Sequence, residues 1–221
     1  KLLNRKLEVP TILAFDHDLG GGATAYLVEK RRLALQQGYR FITIRYNIVS
    51  NRFYFTYQYK QYEMEFFAND LETVLDEVTR VDEIWINELV TYQNLYGTLE
   101  RILRLKKEQG AKILMLLHDF FALCPAVNLI DAQGKYCGVG SCQVCDKCIP
   151  DNRSNACTEY GSGTLWRTKF REFLLNCDEI RAFSDDTAKL FKKAYPDVYN
   201  LHVIPHVPHY LPAVKKVRKT T

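Results

Sequence analysis

Strand-like and helix-like segments alternate along most of the chain, and this alternation restricts the fold more than any other feature. Short apolar runs predict strands, and apolar residues at helical spacing predict helices. The predicted strands cover 11–15, 39–44, 83–86, 112–117, 179–183 and 201–204, and the predicted helices cover about 22–37, 71–78, 99–110, 165–175 and 185–194. Strands separated by helices are typical of parallel sheets with helices on both faces. The sequence therefore predicts an α/β fold: a Rossmann-like, doubly wound, mostly parallel sheet.

Two further patterns refine this prediction. Aromatic and polar residues alternate over Arg52–Lys60, and Glu63–Phe67 continues the pattern as a hairpin. Lys112–Leu117 is the most apolar predicted strand, which a parallel sheet would bury on both faces. Because ligands of parallel sheets bind at the carboxyl ends of the strands, functional loops are expected at one edge. These loops follow Phe15, Ile86, Leu117, Phe183 and Ile204.

Composition limits the classes of function. The net charge is only +4 in 221 residues, too small an excess to indicate a nucleic-acid partner. The basic cluster at 215–219 is interpreted as a solvated linker. No apolar run approaches the roughly 20 residues of a membrane-spanning helix, and residues 1–6 lack a signal-peptide pattern. We expect a cytoplasmic protein, with peripheral contact at the inner face of the membrane left open.

A glycine turn, Gly20, Gly21 and Gly22, follows the first strand and opens a helix. Glycine lets the backbone approach a ligand closely, and a helix N-terminus offers free N–H groups to an anion. Gly20, Gly22 and Ala25 also satisfy the dinucleotide fingerprint, but the second strand continues as Arg45-Tyr46-Asn47 without the acidic residue that binds ribose. A purely structural turn is the other interpretation.

His118 and Asp119 follow the most apolar strand. A histidine at this edge can donate to a hydroxyl or phosphate, or act as a base. The alternative is a histidine satisfied by a backbone carbonyl. We predict a functional role, because loops at this edge carry ligand sites.

The segment His118–Pro125, followed by Asn128–Asp131, a glycine and a cysteine, resembles the middle of the N-terminal domain of GT-B glycosyltransferases. The resemblance is to the large retaining family that includes bacterial polysaccharide mannosyl- and glucosyltransferases. The glycine turn, Phe183-Ser184, Ala194–Asp197 and Val203–His206 match in the same order, although His206-Val207 stands where the family usually has Asn-Gly.

The resemblance implies one half of a two-domain enzyme that moves a hexose from a nucleotide sugar to a carbohydrate or lipid-linked acceptor. Residues 1–210 would form the acceptor-side domain, with a cysteine-rich insertion at about 124–163, and 211–221 would begin the linker to a donor-binding domain. This chain alone would then be inactive. Carried over from the family, His118 would be catalytic, and the substrate-binding residues would be Gly20, Gly21, Gly22, Asp119, Ser184 and His206.

Five of the seven cysteines lie between Cys137 and Cys157. Cys137, Cys142, Cys145 and Cys148 have a spacing that suits tetrahedral zinc, with Cys157 as an alternative ligand. Four thiolates leave no open position, so this zinc would be structural. An iron–sulfur cluster, disulfides and free thiols remain open alternatives. Cys124 and Cys177 are isolated and predicted to be buried packing residues.

Two other classes of function compete with the transferase. One is a zinc-stabilised binding domain without catalysis. The other is an NAD(P)-dependent oxidoreductase, which the missing acidic residue after the second strand disfavours.

Overall fold

The computed structural model describes residues 9–156 and 161–206. Its strands are β1 Thr11–His17, β2 Arg40–Asn47, β3 Arg52–Tyr59, β4 Tyr62–Ala68, β5 Glu83–Ile86, β6 Lys112–Leu117, β7 Glu179–Ala182 and β8 Leu201–Val203. Its α-helices are α1 Gly22–Gln36, α2 Leu71–Leu75, α3 Leu95–Gln109, α4 Cys142–Cys148, α5 Gly163–Leu175 and α6 Asp185–Ala194. The predicted α/β class is confirmed.

The eight strands form one sheet in the order β4-β3-β2-β1-β5-β6-β7-β8. Six strands run parallel, and the hairpin β3–β4 adds two antiparallel strands at one edge. From β1 the chain builds β2 on one side and later β5 on the other. The carboxyl ends of β1 and β5 therefore form a topological switch point, the place where open α/β sheets bind ligands.

Helices cover both faces of the sheet. On one face α1 packs Leu27 and Ala34 against Ile12, Ala14 and Phe41. On the other face the main core buries apolar side chains of α3, α5 and α6 against the opposite sides of the same strands. β6 is buried on both faces from Ile113 to Leu117, as its apolar sequence predicts.

Four predicted boundaries are wrong. β2 runs to Asn47 rather than ending at Ile44, and α3 begins at Leu95 rather than near Leu99. β1 does not stop at Phe15 but continues through Asp16 and His17, which pair with Arg45 and Tyr46 of β2. The parallel ladder thus extends past the apolar run that defined the predicted strand. The second helix ends at Leu75 rather than near Val78, whose N–H instead closes a turn onto the Leu75 carbonyl.

The segment between β6 and α5 contains α4 and a 3₁₀ turn at Ile149–Asp151. Trp166 of α5 is fully buried and donates from Nε1 to the Phe121 carbonyl at 2.9 Å. Arg167, also buried, donates to the Gly140 carbonyl at 2.7 Å. These bonds attach the start and the middle of the segment to α5.

Candidate functional site

A cavity of about 750 Å³ opens at the carboxyl edge of the parallel strands. Every loop that the sequence singled out at this edge contributes to it. Its walls include His17, Leu19, Gly20, Gly22, Ala23, Glu88, Val90, His118, Asp119, Val127, Asn128, Ser154, Ala156, Phe183 and His206. The cavity is therefore the candidate site.

The glycine turn forms one wall. Gly20 and Gly21 have φ values of 77° and 90°, in the left-handed region that favours glycine. Gly21 is the N-cap of α1, and no side chain caps this helix start. The first-turn N–H groups are thus free of side-chain caps, a property of helix termini that bind anions.

His118 belongs to a chain of polar groups that fixes its protonation. The buried amide of Asn87 donates from Nδ2 to Asp16 Oδ1 at 2.8 Å and to the Ala23 carbonyl at 3.1 Å. Its Oδ1 therefore faces His118 Nε2, at 2.9 Å, and must accept a hydrogen bond. His118 consequently carries its proton on Nε2, and its Nδ1 is the acceptor.

Aromatic rings surround His118. Phe183 stacks on the imidazole at 4.7 Å between ring centroids, and Tyr26 meets it edge-on at 5.2 Å. Tyr26 also contacts Phe183 and His206. Burial lowers the pKa of His118 to about 4, and the neighbouring His206 and His17 lower it in the same direction. His118 is therefore a neutral imidazole at physiological pH.

His17, at the end of β1, has a different arrangement. The residue is only 7% exposed and lines the cavity. Its Nδ1 accepts the backbone N–H of Leu19 at 3.0 Å. Because Nδ1 accepts this bond, the ring proton lies on Nε2.

Two carboxyl groups, Glu88 and Asp119, lie against each other in the same cavity. Burial raises the pKa of Glu88 well above its ordinary value, and the Asp119 carboxyl raises it further. Burial raises the pKa of Asp119 as well, although the backbone N–H of Phe121 donates to its Oδ1 at 2.8 Å. The hydrogen bond between them favours protonated Glu88, so the pair keeps a proton to higher pH than two separate carboxyl groups would.

The cavity brings together Gly20, Gly22, His118, Asp119 and His206. Gly21 shapes the turn between its two glycine neighbours. Ser184 has another task, because its Oγ accepts the Thr187 N–H at 3.1 Å and caps α6. The substrate-binding roles of these residues stay predictions.

Sequence reasoning missed His17, Asn87 and Glu88. Asn87 and Glu88 directly follow β5, at an edge where a functional loop was expected, so the loop was found but not its residues. His17 lies beyond the predicted strand 11–15, although it ends β1.

The predicted zinc ligands lie on and near α4. Cys142, Cys145 and Cys148 lie on the helix. Burial raises the pKa of the Cys137 thiol, and the nearby Cys145 and Cys148 raise it further. Sulfur atoms here accept N–H hydrogen bonds, to Cys148 from Ala132 N at 3.3 Å and to Cys145 from Arg167 Nη2 at 3.3 Å.

Within residues 9–156 and 161–206, no group of three or more His, Cys, Asp or Glu side chains is arranged to hold a metal ion. The six cysteines in those ranges are free thiols. Cys157 lies outside the described residues. Zinc therefore remains a prediction. Cys124 and Cys177 are buried, as predicted for packing residues.

Among the helices that the structure describes, none combines the length and apolar character needed to cross a membrane.

No protein-family model and no curated protein sequence matches the chain. One solved structure, a DUF4886 family protein from Bacteroides uniformis, is similar over 78% of this chain and 66% of its own length. The identity is 12% and the TM-score is 0.34. These values are too low for any argument about function.

Proposed function

We propose that this chain is the acceptor-side domain of a two-domain glycosyltransferase, which moves a hexose from a nucleotide sugar to a carbohydrate or lipid-linked acceptor. The observation that carries the proposal is the convergence of five loops on one cavity. The glycine turn, the His118 loop and His206 lie far apart in sequence but share its walls. These are the segments on which the resemblance to GT-B enzymes rests.

The chemistry of the cavity suits the acceptor side of such an enzyme. Its walls, as far as the structure describes them, contain no Lys or Arg. A nucleotide sugar brings two phosphate charges, which need cations or helix N-termini to bind well. The start of α1 offers one such N-terminus. We propose that the remaining donor contacts come from a second domain.

The test is transfer of labelled hexose from UDP-glucose and GDP-mannose to extracted lipid and oligosaccharide acceptors. We expect transfer by a gene product that extends beyond Thr221 and none by residues 1–221 alone. His118→Ala should reduce the rate about 100-fold, in the range of a lost acid–base or polarising group. The matched control is His202→Ala, because His202 is an exposed residue of β8 outside the cavity.

Two results would count against the proposal. Transfer by residues 1–221 alone would contradict the need for a second domain. Absence of transfer by the longer product, together with saturable NADH binding, would favour the oxidoreductase.

We also propose a structural zinc at Cys137, Cys142, Cys145 and Cys148. The support is the clustering of these thiols and the N–H donors aimed at Cys145 and Cys148, because metal-ligating groups are commonly oriented by such bonds. Metal analysis of the purified chain should find about one zinc per molecule. Cys145→Ser should remove it and Cys177→Ala should not. Bound iron would favour the cluster alternative, and absence of metal would refute both.

A further inference from the structure

The two imidazoles in the cavity offer opposite hydrogen-bonding groups to a ligand. His17 uses Nδ1 to accept the Leu19 N–H, so its Nε2–H is left as a donor. His118 uses Nε2–H to donate to Asn87, so its Nδ1 is left as an acceptor. Both rings line the same cavity, and they lie close enough for His17 to lower the pKa of His118.

His17 is the more telling of the two. More than nine-tenths of the residue is buried, yet no residue in the described ranges accepts a hydrogen bond from Nε2. Nε2 is not among the fully buried side-chain atoms that lack a partner, so it reaches the solvent of the cavity. Since the ring forms part of the cavity wall, its unused nitrogen is available to a bound molecule.

The charges around the cavity indicate which kind of molecule can bind there. The described walls contain two carboxyl groups, Glu88 and Asp119, three histidines and no Lys or Arg. A phosphate or carboxylate only accepts hydrogen bonds, so between the two imidazoles it would meet a lone pair on His118 and the acidic pair, which oppose the attraction of the α1 N-terminus. A hydroxyl both donates and accepts, so it can use His17 and His118 together.

We infer that this end of the cavity is a subsite for an uncharged, hydroxyl-bearing ring, with His17 Nε2–H donating to ligand hydroxyls and His118 Nδ1 accepting from them. The inference rests on the proposed function, whose acceptor class it narrows to neutral sugars or polyols. Phe183, stacked on His118, and Val90 and Val127 supply apolar surface for the C–H face of such a ring.

The experiment uses residues 1–221 with ¹⁵N-labelled histidine. Long-range ¹H–¹⁵N spectra should show both His17 and His118 protonated on Nε2. Methyl α-D-glucopyranoside and methyl α-D-mannopyranoside, added to about 50 mM, should shift the ring nitrogens of both residues, as millimolar binding requires. Glucose 6-phosphate and glucuronate at the same concentration should cause shifts at least about fivefold smaller.

His17→Phe keeps an aromatic ring but removes the donor, and should weaken binding of the neutral glycosides about fivefold. His202→Phe, on the exposed side of β8, should bind as the unaltered chain does. A backbone amide spectrum of each variant verifies its fold. His17→Gln restores an N–H donor and should recover part of the binding that His17→Phe loses. If His17→Phe does not fold, His17→Gln is the variant in which binding is tested.

Equal or stronger binding of the anionic probes would overturn the inference, as would neutral glycosides that shift neither ring. Failure of the proposed function gives a different result. Glycoside-dependent shifts without hexose transfer by the longer gene product would leave the subsite intact and refute the transferase. Hexose transfer without any preference for neutral probes would refute only the subsite.

Discussion

Asn87→Ala should destabilise the fold by breaking the polar chain from Asp16 to His118. Asn87 is 1% exposed, and its side chain makes three hydrogen bonds, to Asp16, the Ala23 carbonyl and His118. Their loss leaves Asp16 Oδ1 and the His118 Nε2–H without this partner and removes a second bond from the Ala23 carbonyl, which lies inside α1; each loss costs about 1–3 kcal/mol if the group stays dry. Because the neighbouring cavity lets water in, we take the lower end of this range for each group. The expected loss of unfolding free energy is about 3 kcal/mol.

Urea unfolding followed by circular dichroism measures this loss directly, and thermal unfolding should show a fall in Tm of about 10 °C. The matched control is Asn128→Ala, because Asn128 also lines the cavity but is exposed. It should change stability by less than about 0.5 kcal/mol. A loss below about 1 kcal/mol in Asn87→Ala would show that the polar chain does not hold this edge together.

Three further predictions follow from single contacts. Ser184→Ala removes the N-cap of α6 and should lower the free energy of unfolding in urea by about 1 kcal/mol, and Ser184→Asp should keep the cap and the stability. Unchanged stability in Ser184→Ala would contradict the capping role. The His118 C2–H resonance should titrate near pH 4, not near 6.5; since burial depresses the folded-state pKa, the unfolded state takes up the proton first, and stability falls as pH drops from 6.5 to 4. Burial raises the pKa of Asp178, but hydrogen bonds from Lys106 and the Ile113 N–H outweigh this effect, so the pKa is lowered overall. The protein should therefore lose stability as Asp178 becomes protonated below about pH 4, and Asp178→Asn should make this loss smaller. An unchanged dependence of stability on pH in that range would contradict the prediction.

Much of the fold could be predicted because its signals are local. The continuous apolar run Lys112–Leu117 identifies β6 as a strand buried on both faces. Gly110, in a left-handed conformation, identifies the end of α3. The end of β1 could not be found in this way. Asp16 and His17 are polar, and only pairing with Arg45 and Tyr46 keeps them in the strand.

The site was predictable as an edge but not as a set of side chains. Periodicity locates the end of a strand, and the carboxyl ends of parallel strands meet at one edge, so the loop after β5 could be expected there. Periodicity does not predict which side chains of that loop face the cavity. Glu88 meets a second carboxyl group only because Asp119, 31 positions later in the chain, follows the adjacent strand β6.

Sequence spacing also fails to predict which cysteines lie close together in the fold. Cys124 stands 13 residues before Cys137, and by spacing alone it is an isolated residue. In the fold its thiol lies close to Cys145, and its pKa rises to about 11, chiefly through burial and further through Cys145, Cys137 and Cys148. Spacing did not predict its place beside the cluster, whereas its burial agrees with the sequence-based prediction of a packing residue.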